Sequence, residues 1–409
     1  MMQTRIFYGW WIVTACLLST MVGNALGLYG VGVYLHEVTT AEGWSVSLVS
    51  GAVTLFYVVS ALLLILVGTS ISRFGSKPVI GLGALAMAAG VAGIGRAGEP
   101  WQAYAAFLAM GIGWSCLTMT SISAALTPWF DRHYGRAVST ASLGASIGGM
   151  VGAPVLVLGI EHIGFPATTT MAAVVAMVVV LPLAWFVLKR RPEDMGLLPD
   201  GEPATGAPVA SGAPRWGRVE ALRTAALGSV VGAFGIGMMV QIGFLTHQVA
   251  LVAPSLGVPG ASAMVTATAA AALLGRLLLV RFADRVDARA TTAAVLLLAA
   301  AALATMALYP TPAVLVGAGA AFGLTVGNVT TLSPIIVRRE FGAASFGAVF
   351  GVASTGIQLA AAAGPGLYGV LHDAFGGYRT PLLAAAALDM LAATLVVLGG
   401  RKAVQRCLG

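Results

Sequence analysis

The stretch KRRPEDMGLLPDGEPATGAPVASGAPRWGR, residues Lys189–Arg218, decides how the rest of the chain is read. It is the only long polar segment in 409 residues. Pro192, Pro199, Pro203, Pro208 and Pro214 punctuate it, with Gly, Ala and Ser between them, a pattern that predicts a flexible linker. On either side the apolar runs are about 20 residues long, the length of helix that crosses a ~30 Å hydrocarbon core. Six such runs precede the linker and six follow it.

Composition supports the same partition. Hydrophobic residues make up 58% and charged residues 9%, against roughly 25% charged in a soluble domain. So few charges cannot cover a water-facing surface. A transmembrane barrel is excluded, because its strands alternate apolar and polar residues, whereas these runs are continuous. The first run follows Arg5 and continues to about Tyr34, too long for the core of a cleavable signal, so it is expected to be a retained helix. Cys16, Cys116 and Cys407 give neither a disulfide framework nor metal spacing. The expected fold is an all-α membrane protein. Twelve transmembrane helices form two pseudo-symmetric six-helix bundles, residues 1–188 and 219–409, joined by a cytoplasmic linker, 189–218.

Charge sets the orientation. The net charge of +7 reflects topology rather than nucleic-acid binding. Nineteen of the 22 Lys and Arg residues fall on the side of the N-terminus, and only Arg96 and Arg379 on the other. Both termini are therefore expected in the cytoplasm, with the chain in the cytoplasmic (inner) membrane. Trp10, Trp11, Trp44, Trp101 and Trp129 sit at span ends, where amphipathic rings anchor.

The halves echo each other. Ser72-Arg73 with Lys77 follows span 2, and Asp284-Arg285 with Arg289 follows span 8. Arg132-His133-Tyr134-Gly135 follows span 4, and Arg339-Glu340-Phe341-Gly342 follows span 10. A 6+6 repeat of this kind suits a transporter that binds its solute near the midplane and rocks around it. Arg73, Lys77, Asp284, Arg285 and Arg289 then serve as gating latches or as plain topology signals.

The chain resembles the major facilitator superfamily, and within it bacterial members of the monocarboxylate transporter and oxalate/formate antiporter group. The resemblance runs over essentially the whole length. It is carried by Tyr8-Gly9-Trp10-Trp11, by Trp129 to Ala137 with Gly144 and Gly148 in span 5, and by Arg191 to Gly201. Further along, His247, Gly257, Gly275-Arg276, Asp284-Arg285, Gly364 to Gly369, Asp373 and Gly376 extend it. Departures accompany it. Ser72 stands where the superfamily pattern has Asp. Leu28 stands near the span 1 lysine of animal members, and Ala272 where they place Asp. The oxalate exchanger carries a lysine in span 11, whereas this span has no cation and Gln358 is its nearest polar candidate.

Arg276 is the sharpest chemical signal. An arginine at a helix centre costs ~2.5–3.5 kcal/mol on insertion scales, and guanidinium does not shed its proton. It lies eight residues before Asp284, about 12 Å of helix rise, too deep for easy snorkelling. It is either a bidentate clamp on a substrate carboxylate or a structural cation, and the resemblance favours the clamp. One mid-span cation suits one carboxylate. Asn24, Asn328 and Gln358 are amides in apolar runs that either line the cavity or join helices. Leu28, Tyr29 and Leu143 offer an apolar wall, or ordinary core. His247 and Asp389 are the proton-coupling candidates.

The expected function is secondary transport of a small monocarboxylate, lactate- or pyruvate-like, in symport with a proton. The alternatives are anion exchange of the oxalate/formate type and export of amphipathic compounds. An enzyme is disfavoured, because no span carries a metal-ligand cluster, a nucleophile–base pair or paired carboxylates. A receptor would need a sensor or effector domain. The expected partners are the carboxylate, the proton and the bilayer. No cofactor and no nucleic acid are expected, and a monomer is.

Overall fold

A computed structural model describes residues 7–130, 133–190, 192–196, 199–201, 216–282 and 287–399. Among these residues there is no strand. A backbone N–H or C=O left unpaired in hydrocarbon is costly, and a helix pairs them within one segment. The first six helices are α1 (Tyr8–Glu42), α2 (Val46–Phe74), α3 (Ser76–Ile94), α4 (Pro100–Leu126), α5 (Tyr134–Ile163) and α6 (Phe165–Val187). After the short helix Arg218–Leu222 comes a helical stretch from Ala225 to Phe282. Its 58 residues would make one rod of about 87 Å, far longer than a bilayer needs. Gly257, at φ 69°, breaks it into α7 (225–256) and α8 (258–282). Then follow α9 (Ala288–Leu308), α10 (Pro312–Phe341), α11 in two pieces (Ala343–Ala362 and Gly364–Phe375) and α12 (Arg379–Leu398). This set is consistent with twelve crossings.

Two compact units emerge, residues 1–42 with 58–208 and residues 43–57 with 209–409. The first turns of α2 thus belong to the second unit, although sequence position puts them in the first bundle.

Glycine lets helix backbones meet inside each unit. In the first, a Cβ on Gly144 would overlap the Leu17 carbonyl oxygen, and one on Gly148 the Met21 carbonyl oxygen, so α5 lies directly on α1. In the second, a Cβ on Gly364 would overlap the Met239 carbonyl oxygen, which places α11 on α7 in the same way. Small residues at these crossings substitute for the hydrophobic force that lipid removes. The second unit also has an apolar core, in which Phe234, Leu296, Leu332 and Val396 are buried. The outer surface is apolar as well. Met171, Val175 and Val178 of α6 are exposed, as befits a face that meets acyl chains.

Two expectations change. Trp101 is 64% exposed, as an anchor should be, but Trp129 is only 3% exposed. Its ring lies 5.3 Å from that of Tyr8 and 6.1 Å from that of Phe7, so it closes the end of the first unit instead of meeting the interface. The linker is also not uniformly loose. Residues Glu193–Met195 and Pro199–Gly201 form 3-10 turns. The Asp200 N–H donates to the Trp129 carbonyl at 2.9 Å, and Asp200 Oδ1 lies 3.3 Å from His133 Nδ1.

Gly144→Ala and Gly364→Ala should each cost about 1–3 kcal/mol, the usual cost of overpacking. Gly351→Ala, with nothing within 4 Å of its Cβ, should instead raise stability by up to about 1 kcal/mol, because alanine is the better helix former. Thermal unfolding in detergent compares the three.

Candidate functional site

In the second unit the site starts from the α8–α10 crossing. Gly275 lies against the Leu324 carbonyl. One residue on, the half-buried Arg276 lays its Cγ and Nε across Gly327. A Cβ at 327 would occupy the volume of that side chain. Gly327 is therefore the seat of the arginine, and Asn328 follows it directly. Asn328 Nδ2 donates to the Leu324 carbonyl at 3.0 Å, while its Oδ1 is buried without a hydrogen-bond partner among the described residues. Gln358 is half-buried on α11.

In the first unit the site residues gather at an irregular turn of α1. Residues Ala25–Tyr29 form a π-helical segment, a wide turn that often marks functional positions. Asn24, just before it, is buried and donates from Nδ2 to the Thr20 carbonyl at 2.9 Å. Leu28 is half-buried, and the buried Tyr29 ring rests on Gly149 of α5. Leu143, on α5, is exposed.

His247 is held rather than free. Only 1% exposed, it places Nε2 3.1 Å from the Pro365 carbonyl and 3.2 Å from Ser50 Oγ, with Nδ1 3.0 Å from the Tyr378 hydroxyl. A carbonyl only accepts, so in the neutral ring Nε2 carries the hydrogen and Nδ1 accepts from Tyr378. The Tyr368 ring stacks on it at 5.6 Å. Beyond it, the Ser47 N–H donates to Asp373 Oδ2 at 2.8 Å, and His372 Nδ1 is 3.0 Å from Asp373 Oδ1. Partial burial pushes the Asp373 carboxyl up, but the hydrogen bonds from Ser47 and His372 outweigh it and hold the group below its ordinary value.

Asp389 does not face lipid. It is 1% exposed, next to Gly237 of α7, and its Oδ1 has no hydrogen-bond partner among the described residues.

The basic turns differ among themselves. Arg289 is buried in a pair inside the second unit. Its Nε and Nη2 donate to Glu340 at 2.6 and 2.8 Å, and its remaining donors reach the Val396 and Ala226 carbonyls and Ser229. Such an arginine ties α7, α9, α10 and α12 together within one unit. Arg73 is exposed and stacks over Phe74, and Lys77 sits over the Trp185 ring. Asp284 and Arg285 lie outside the described residues. Sequence reasoning missed Glu340 as a partner, Gly327 as a seat and Tyr378 as a clamp. The acid within Arg339-Glu340-Phe341-Gly342 was the available signal for the first.

The sequence model described as Major Facilitator Superfamily matches residues 16–258 and 225–406. The MFS-type transporter YcxA of Bacillus subtilis (strain 168) is 28% identical over 147 residues, 36% of each chain. The MFS-type transporter pynF of Aspergillus niger is 32% identical over 93 residues, 22% of this chain and 21% of that one. The matched stretches thus span about a third and a fifth of these curated relatives. A bacterial homolog of the human lysosomal transporter Spinster, solved inward-facing and unoccupied, superposes with TM-score 0.77 at 14% identity over 98% of both chains. Its occupied inward-facing form gives 0.75 at 14% identity over 97% of both chains. This likeness is one of fold.

Breaking a buried pair strands a charge at a cost of about 3–5 kcal/mol. Glu340→Gln should therefore unfold the protein at lower temperature, and Arg289→Met with Glu340→Leu should be milder than either single change. Asp373, with its folded value lowered, adds stability above about pH 4 that is lost as pH falls through the folded value. Asp373→Asn should flatten that acid limb in a melting-temperature series across pH.

Proposed function

The chain belongs to the Major Facilitator Superfamily, and from that premise we propose that it is a secondary transporter of a small monocarboxylate, lactate- or pyruvate-like, working by alternating access in symport with a proton. The observation that carries the reading is Arg276, a permanent cation half-buried on α8 and seated on the bare backbone of Gly327. A guanidinium presents paired N–H donors that fit both oxygens of one carboxylate. A carboxylate that arrives and leaves is a partner that offsets the cost of a cation at this depth. Asn328, with a vacant acceptor, and Gln358 supply polar contacts in the same unit. Within the first unit, Asn24, Leu28, Tyr29 and Leu143 are the amide and apolar candidates.

For the proton, Asp389 is preferred to His247. Both ring nitrogens of His247 are engaged, whereas one Asp389 oxygen has no hydrogen-bond partner among the described residues. The resemblance to the oxalate/formate group keeps anion exchange as the second reading. The charge bias of the turns supports the inner membrane with both termini cytoplasmic.

Uptake of labelled lactate and pyruvate into proteoliposomes tests the proposal. Wild-type uptake should rise when the outside is acid. Losing charge-assisted bonds of about 1.5–3 kcal/mol should lower it about ten- to a hundredfold in Arg276→Gln, with Arg276→Lys only partly restoring it. Asp389→Asn should abolish the response to the pH gradient. Full transport by Arg276→Gln would sink the anion site, and uptake that needs an internal carboxylate rather than a gradient would replace symport with exchange.

A further inference from the structure

A second anion-binding feature lies in the first unit, away from every residue used above for the transported solute. A cavity of about 690 Å³ opens where the ends of α2, α4 and α6 meet the start of α3. Three cations line it, Lys77, Lys189 and Arg190, against one acid, Asp194. None of the three is paired with a carboxylate among the described residues. Instead Lys77 Nζ sits 3.4 Å above the Trp185 ring, and the Arg190 guanidinium lies 5.5 Å from the centre of the Tyr8 ring. Aromatic faces hold the cations in place without neutralising them. The lining includes the first residues of α3, which begins at Ser76 with no acidic residue in its first turn and no side-chain cap. Its backbone N–H groups add positive potential at the same wall.

The surroundings identify the form of the anion. Phe74, at the rim, is exposed, and so are Trp185 and Phe186 at the end of α6. Above them the outer faces of α6 and α3 stay apolar, with Val178 and Leu82 exposed. A soluble phosphate would use the cations and ignore these surfaces. A phospholipid would use both, with its phosphate among Lys77, Lys189 and Arg190 and its chains along α3 and α6. We propose that this cavity binds the headgroup of an acidic phospholipid, with the aromatic rings of Trp185 and Phe186 at the level of its glycerol. The lipid is then a fixed part of the first unit, holding the end of α6 to the start of α3.

Native mass spectrometry of the delipidated full chain tests this. Phosphatidylglycerol, phosphatidylcholine with the same chains, and glycerol 1-phosphate are offered separately. Phosphatidylglycerol adducts should survive activation that strips phosphatidylcholine, and each neutralised cation should lower their retention about fivefold. Lys77→Gln with Lys189→Gln and Arg190→Gln should bring it to the phosphatidylcholine level. If that triple variant fails to fold, Lys189→Gln with Arg190→Gln, both at exposed positions, reads the same effect. Equal retention of the two lipids, or undiminished retention in the variants, overturns the proposal. Glycerol 1-phosphate binding as firmly as phosphatidylglycerol overturns it too, because the site would then belong to a soluble organophosphate. Lactate uptake does not enter these readouts, so the outcome is independent of the transport reading.

Discussion

Backbone hydrogen bonding in hydrocarbon is the constraint on which the rest of this structure depends. No water is present to repair a broken helix, so each irregularity must bring its own repair. The interruption of α4 at Thr118, whose backbone is extended, leaves the Ser115 carbonyl without its helical donor, and Ser121 Oγ donates to it at 2.6 Å. The break in α11 leaves the Gly366 N–H to Thr54 Oγ1 at 2.9 Å, and the Pro365 carbonyl beside it also accepts from His247. The polar side chains of the spans are therefore explained first by the backbone. Those left over, such as Asn328 Oδ1 and Asp389 Oδ1, are the ones with capacity to act on something else.

Close packing is the second consequence. Without a hydrophobic force between helices, contact has to come from shape. The two units meet that demand alike, with α5 on α1 through Gly144 and α11 on α7 through Gly364. The correspondence is physical as well as sequential, since in each case a glycine meets a carbonyl oxygen of the neighbouring helix. Charge is handled differently. Arg289 is fully consumed by Glu340, Ser229 and two backbone carbonyls, whereas the cations beside Trp185 and Tyr8 are supported by rings.

The fold was legible in the sequence because lipid writes long apolar runs and basic turns in plain form. Arg276 was legible because a charge in such a run is expensive. What escaped were partnerships across helices. Arg289 meets Glu340 and His247 meets Ser50, and such pairs leave no periodic trace between distant segments. Trp129 was misjudged for a related reason: a ring at a span end has the same composition whether it meets the interface or packs under Phe7 and Tyr8. The wide turn of α1 was equally invisible, since Gly27 is its one weak helix former and glycine is common throughout these spans.

The bare backbone under Arg276 has one more implication. Positions 276 and 327 fill a single volume between them, one by having a long side chain and the other by having none. Shortening residue 276 alone does not free position 327, because a Cβ there would still press on the Ala272 carbonyl oxygen. The glycine is thus demanded twice, by the backbone of α8 and by the guanidinium stem that crosses it.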